Sequence, residues 1–350
     1  MVLSDVSDLL TCPVCGLPLK PGAGPASPSV PLSASPSRPP ALRCGSGHSF
    51  DVARQGYVNL MTGHARPGTA DTAEMVTARQ AFLAAGHYAP LADAVAALAA
   101  DAIPAAQGLP AAQGPPDAAG APAAGRPYVL DAGAGPGYYL AAVLDRVRAL
   151  PGYGETAGLA MDVSVPALRL AARAHPAAGA AGWDVWKPLP VRDGAASVVL
   201  NVFAPRNGPE FRRVLRDDGA LIVVTPGQGH LAELIDDAGL LAVDERKDER
   251  LSTALGAYFS LAGQRDLSIG LRLTRAGAAA LAGMGPSAWH TRPEEIADRL
   301  AGRAEPVSVT AAFRISLYRP GDLQPLNGGA QRSELFGQNA KNGRNFARRG

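Results

Sequence analysis

The sequence has few cysteines, few aromatic side chains and no long apolar run. Cys12, Cys15 and Cys44 are its three cysteines, and an odd count cannot close into a full set of internal disulfides. Aromatic residues make up 5% of the 350 positions, and alanine inflates the 47% hydrophobic content. Charges or prolines break even the alanine-rich stretches, so no segment reaches the roughly 18–20 apolar residues of a membrane span. Residues 1–10 include two aspartates and no apolar run of the secretory-leader kind. Lysine is scarce, and a net charge of +2 gives no global attraction for a polyanion or a lipid surface. No Gly-Lys-Ser/Thr phosphate loop is present, which disfavours ATP or GTP chemistry. These absences predict a soluble, cytoplasmic protein with reduced cysteines and about two domains.

Two segments rich in proline, alanine and glycine punctuate what is there. The first spans 20–40, between Cys15 and Cys44, and the second spans 103–127. Neither has helical or strand periodicity, and both read as flexible loops or linkers. Between them, Asp71 or Thr72 can cap a helix carrying Met75, Ala78, Phe82 and Leu83, with Gly86 as its left-handed stop. A second helix begins near Pro90. From Tyr128 onward, apolar strands alternate with amphipathic helices, which predicts a doubly wound α/β domain over roughly residues 70–320. The strands in "LSIGLRL" and "PVSVTAAFRISLYRP" alternate at period two and fit an antiparallel edge. The tail from 321 is basic near its end, rich in Gly, Asn, Gln and Ser, and expected to be disordered.

"VLDAGAGPGYYL" ends a strand at Asp131, turns through Gly133, Gly135 and Gly137, and opens a helix. Glycines let backbone N–H groups approach a ligand closely at a helix N-terminus. A glycine loop alone is weak evidence for any one nucleotide. An acid ahead of the loop and a second acid, Asp162, at the next strand end narrow the choice, because Asp162 can accept both hydroxyls of a ribose. The competing role for Asp162 is a helix N-cap. This pattern resembles the S-adenosylmethionine-dependent methyltransferases. The resemblance implies that Asp131 and the loop hold the methionine moiety, Asp162 the ribose and Asp184 the adenine amino group; Asp184 otherwise reads as an exposed loop acid. At the fourth strand end, "NVFAPRN" places Asn201 where such enzymes line the methyl pocket. An asparagine there can accept from a base edge or hold the backbone in shape.

Cys12 and Cys15 have the spacing that directs two thiolates to one metal, and Cys44 with His48 forms a second pair. Together they make a closed Cys₃His set suited to structural Zn²⁺. The rival, a redox Cys-x-x-Cys, lacks the βαβ context it normally opens.

With "CPVC…LRCGSGHSFDVARQGYVNLM", "TAEMVTARQAFLAAGHYAPL", "VFAPRN" and "VVTPGQGHLAEL" added, the chain resembles the bacterial 23S rRNA guanine-N1 methyltransferases. It is most similar to the branch that confers resistance to macrolides such as tylosin. The resemblance implies a Rossmann-like class I S-adenosylmethionine-dependent methyltransferase domain at 128–320, preceded by an N-terminal zinc ribbon at 1–62 that recognises RNA. Residues 63–102 form a helical bridge. Tyr88, His230, Gly135 and Pro136 match cofactor contacts of the family; without it, Tyr88 reads as a packing residue and His230 as a helix N-terminal one. Arg43, Arg54 and the "GYVNL" segment become an RNA-docking surface. Guanine N1 lies on the pairing edge and carries a hydrogen, so the base must be unpaired and a proton acceptor supplied. This favours a hairpin loop or a bulge as the recognised RNA element. A homodimer is compatible with the sequence, which does not fix the oligomeric state. The competing classes are a small-molecule methyltransferase and a non-catalytic zinc-ribbon RNA-binding protein.

Overall fold

The computed structural model describes residues 2–22, 40–62, 70–103, 126–238, 255–284 and 293–321. Most of both proline-rich segments, all but the first residue of the 321–350 tail, His64 and His290 lie outside the described residues.

The chain opens with a short helix, α1 (Val2–Val6), and a three-stranded antiparallel sheet, β1 (Lys20–Pro21), β2 (Ala41–Arg43) and β3 (Ser49–Asp51). β4 (Tyr57–Asn59) leaves this small sheet and joins the large one. Helices α2 (Ala73–Ala84) and α3 (Ala89–Ala102) follow. The Thr72 hydroxyl accepts the Met75 N–H at 3.3 Å and caps α2. Gly86 stands just beyond α2 at φ +79°, the left-handed stop its position predicts.

The core then alternates strand and helix: β5 (Tyr128–Ala132), α4 (Tyr138–Arg148), β6 (Ala157–Asp162), α5 (Val165–Ala174), β7 (Ala178–Gly182), β8 (Ala196–Val202), α6 (Gly208–Val214) and β9 (Leu215–Pro226). After α7 (Ala232–Ala238) come β10 (Phe259–Leu273), α8 (Arg275–Ala282), α9 (Pro293–Leu300) and β11 (Val307–Pro320). The eight-stranded sheet has the order β10-β11-β9-β8-β5-β6-β7-β4. β4, β7, β6, β5, β8 and β9 run parallel; β11 pairs antiparallel with both β9 and β10. Strand order reverses at β5, so the crevice for a ligand opens above the carboxyl ends of β5, β6 and β8.

The antiparallel edge expected of the last two strands is present: β10 is outermost, and β11 lies just inside it with Phe313 and Ile315 fully buried. One difference from the sequence expectation matters. The sheet begins earlier than residue 70, because β4 pairs with β7, Tyr57 opposite Ala180 and Val58 opposite Ala181. Val58 and Leu60 are fully buried there. A strand of three residues gives too little periodicity to be read from sequence, yet its burial covers the otherwise open edge of β7.

Helices α2, α3, α4, α5, α8 and α9 cover one face of the sheet. The N-terminal segment and α6 cover the other, through Leu3, Val6, Leu9, Leu10 and Phe211. A helix as short as α1 has no stability of its own. Its apolar side chains supply it, on the order of 1.5–3 kcal/mol for each one fully buried. Among the described residues no single helix is long and apolar enough to cross a membrane; α2 and α3 pass that test only as a pair bent by 83°.

Gly179 of β7 lets α1 approach: a Cβ there would lie 2.4 Å from Val6 Cγ2. Gly179→Ala is therefore expected to destabilise the protein by about 1–3 kcal/mol through overpacking. Urea unfolding measures this, and an unchanged midpoint would remove the close approach as a determinant of the fold.

Candidate active site and metal centre

The loop after β5 is built to be held from outside. Gly133, Gly135 and Gly137 have φ of +83°, +53° and +81°, which side chains disfavour. Gly133 and Ala134 donate to the Met161 carbonyl at 2.8 and 3.0 Å, pinning the loop against β6. A Cβ on Gly133 would sit 2.4 Å from the Ala204 Cβ, so the turn after β8 stacks directly on the loop. Pro136 is buried within it. α4 begins at Gly137 without a side-chain cap, leaving N–H groups of its first turn for a ligand.

Asp162 fastens this loop. One carboxylate oxygen accepts the Gly135 N–H and the other the Ser164 N–H, both at 2.8 Å. The N-cap of α5 is Ser164, whose hydroxyl accepts from Ala167, so Asp162 is not the cap. Burial raises the Asp162 carboxyl, and the two N–H donors oppose that shift.

Asp131 is 1% exposed, and neither of its carboxylate oxygens has a partner. Burial first, and the charge of Asp162 second, push its carboxyl up to about 8. A buried carboxylate without donors is tolerated only protonated or beside a cation. The side-chain oxygen of Asn201, fully buried at the end of β8, is a further acceptor without a donor. The Asn201 amide nitrogen donates to Ala132 O at 3.2 Å and Pro205 O at 2.8 Å, tying the loop after β8 to the end of β5. The crevice thus offers acceptor oxygens that lack donors, one set on a carboxyl that a cation would ionise, and a carboxylate at the next strand end that can accept from a diol.

The remaining expected residues sit in different settings. Asp184 follows β7 and holds its own turn, accepting from Trp186 N at 3.0 Å; its neighbour Trp183 donates to Asp162 O at 2.9 Å. Tyr88 is 4% exposed and wedged edge-on between Phe82 and Phe313, at 5.1 and 5.0 Å. Its phenol is raised by that burial. His230 stands 5.1 Å from the same Phe313 ring. Its Nδ1 lies 2.7 Å from the Ala312 carbonyl. A carbonyl only accepts, so Nδ1 carries the hydrogen and Nε2 keeps a lone pair. Burial lowers the His230 imidazole and keeps it neutral.

Sequence reasoning missed three residues that border this site. Arg79 of α2 pairs with Asp71 and lies 3.6 Å from where a Gly135 Cβ would be. Phe313 joins Tyr88, His230 and Phe203 into one aromatic cluster. Phe203 adopts φ +53° and is 43% exposed. An arginine in a helix and a phenylalanine in a strand have no local signature of a site; of the three, Phe203 alone lies in a motif, "VFAPRN", that marks a strand end.

The four metal-ligand candidates converge. The ligand atoms of Cys12, Cys15, Cys44 and His48 all lie within 4.8 Å of one another. Cys15 and Cys44 sulfurs are 3.6 Å apart, and His48 Nδ1 is 3.6 Å from Cys12 Sγ and 3.3 Å from Cys44 Sγ. A tetrahedron with Zn–S of about 2.3 Å and Zn–N of about 2.0 Å spaces its corners roughly 3.5–3.8 Å apart. The donor set fits Zn²⁺ and leaves no open position for catalysis.

A parallel sheet reversed at β5 and turned antiparallel only at β11 and β10 is the fold of the Rossmann-like class I S-adenosylmethionine-dependent methyltransferases. A cradle of acceptors that can take a cation and a diol suits their cofactor. Residues 30–66 match the zinc-ribbon family described as RlmA, N-terminal. The match holds Cys44 and His48, whereas Cys12 and Cys15 precede it across the proline-rich insertion. The chain is 53% identical over 316 residues to the "Putative 23S rRNA (guanine-N(1)-)-methyltransferase" of Micromonospora griseorubida, covering 90% of this chain and 99% of that one. It is 44% identical over 319 residues to the 23S rRNA (guanine(748)-N(1))-methyltransferase of Streptomyces fradiae, covering 90% and 98%. The chain belongs to the 23S rRNA (guanine-N1)-methyltransferase family.

Two outcomes follow. The folded state favours a protonated Asp131, so its contribution to stability is complete below the usual carboxylate range and is lost as pH rises to about 8. Cofactor-free wild type should lose melting temperature over that window relative to Asp131→Asn; parallel curves would remove the unpaired carboxylate as the cause. Stripping metal with a strong chelator should abolish amide-exchange protection at 10–21 and 40–52 while sparing β5, β6 and β8. Equal protection with and without Zn²⁺ would contradict the metal assignment.

Proposed function

We propose that this chain transfers the methyl group of S-adenosylmethionine to N1 of a guanine in a hairpin loop of 23S rRNA, in the cytoplasm, giving resistance to macrolides such as tylosin. The observation that carries the reading is the similarity to guanine-N1 methyltransferases along nine-tenths of the chain, joined to a crevice with the matching donor and acceptor pattern.

S-adenosylmethionine, when bound, supplies a methyl group on a positively charged sulfur. In this reading Asp131 meets the positive charge of the methionine moiety, which lowers its raised carboxyl, and Gly133, Gly135 and Pro136 enclose that moiety. Asp162 accepts from the ribose hydroxyls while keeping its grip on the loop. Asp184 accepts from the adenine amino group, and Tyr88 with His230 borders the cofactor from the Phe313 side. Asn201, through its bonds to Ala132 O and Pro205 O, sets the "FAP" backbone that orients guanine. The residues thereby contribute in-line positioning and exclusion of water.

Residues 1–62 are proposed as the RNA-recognition module, 63–102 as a helical bridge, 103–127 as a linker, 128–320 as the methyltransferase domain and 321–350 as a tail. The exposed Arg54 and the half-buried Arg43 give the module cations for phosphate.

Incubating the full chain with methyl-labelled S-adenosylmethionine and 23S rRNA, free or in ribosomal particles, should yield labelled N1-methylguanine at a hairpin position. Label on a small metabolite instead, or on no RNA, would sink the reading. The mass of the complex would separate a monomer from a homodimer on the RNA.

A further inference from the structure

Phe203 is one of two non-glycine residues with positive φ among those described, and it is exposed although it follows a fully buried strand. A bulky side chain rarely adopts this conformation and keeps it only where the surroundings impose it. Three contacts impose it here. Phe203 N–H donates to Val224 O at 3.1 Å. The Asn201 amide nitrogen holds Pro205 O at 2.8 Å. Ala204 fills the space that Gly133 leaves by having no side chain. The turn is therefore locked against the glycine loop at the switch point of the sheet.

The consequence is where the ring goes. It rests against Phe313, 5.7 Å between centroids and tilted by 49°, and edge-on to Tyr139 at 6.5 Å. These supports hold its plane, and the residue stays 43% exposed next to Ala204, which stacks on the glycine loop. A ring placed for packing alone would turn inward with its neighbours Val202 and Asn201, which are 7% and 0% exposed. A rigid aromatic face beside a methyl-transfer crevice suits a flat heterocycle removed from its stack.

We propose that Phe203 is the platform on which the unpaired target guanine stacks, with Phe313 and Tyr139 holding the platform still. This inference rests on the guanine-N1 reading above. Stacking on a phenyl ring depends on a π face and not on side-chain volume, so leucine and tyrosine at this position separate it from a packing role.

Steady-state transfer to 23S rRNA and calorimetric binding of S-adenosylhomocysteine are measured for wild type, Phe203→Leu and Phe203→Tyr. Phe203→Leu should lower kcat/KM for RNA by roughly 5- to 150-fold, the range that loss of one base–aromatic stack spans. Phe203→Tyr should recover most of that loss, and S-adenosylhomocysteine should bind all three alike. Wild-type rates in Phe203→Leu, or equal losses in both variants, would overturn the proposal. So would a matching loss of S-adenosylhomocysteine affinity, which makes the ring a cofactor wall. Failure of wild type to form N1-methylguanine overturns the underlying reading as well, whereas an active wild type matched by Phe203→Leu overturns the stacking alone.

Discussion

Asp162 grips the Gly135 N–H with one oxygen and the Ser164 N–H with the other, each at 2.8 Å. That pair of hydrogen bonds, made from the end of β6, fixes the loop after β5 to the start of α5. It can do so only because Gly133, Gly135 and Gly137 accept left-handed φ values, and because Gly137 has no side chain: a Cβ there would lie 3.0 Å from Ala171 Cα and Ala174 Cβ of α5. Asn201 performs the same service from the other side, joining the end of β5 to the turn after β8. The crevice is thus shaped by hydrogen bonds made wholly within the protein before any ligand arrives, which is what preorganisation requires.

The polar balance of the crevice is incomplete by construction. Asp131 is enclosed among apolar side chains without a donor, and burial holds its carboxyl near 8. A structural acid would be expected to find a hydrogen bond, since an unsatisfied buried group disfavours folding. The missing partner is a hydrogen-bond donor or a cation. That one deficiency says more about the ligand than the glycines do, because many nucleotide folds share a glycine loop.

The zinc-ribbon segment is coupled to this core more tightly than a tethered accessory would be. α1 lies against β7, Leu10 bridges to Val191, and β4 extends the main sheet beside β7. The metal centre therefore fixes the geometry of a segment that itself completes the edge of the catalytic sheet. A closed four-ligand site contributes shape and orientation.

Much of this was legible in the chain itself. Alternating apolar strands and amphipathic helices fixed the α/β class, because each period reports which face is buried. Cys12, Cys15, Cys44 and His48 declared themselves by spacing, since two ligands on one knuckle must be close in sequence. The acid–glycine loop and Asp162 were visible for the same reason: strand end, turn and helix start are local events. Tertiary structure alone decided what depends on distant segments meeting. β4 took its place on the sheet because β7 had an open edge, not because of any pattern in three residues. β11 lies inside β10 because it pairs along one side with β9 and along the other with β10, partners far away in the chain, while Phe313 and Ile315 bury one shared face. Arg79, Phe313 and Phe203 gained their meaning only when residues far apart in the chain were brought around one crevice. Local periodicity and ligand spacing are written in sequence; the company a side chain keeps is set by packing.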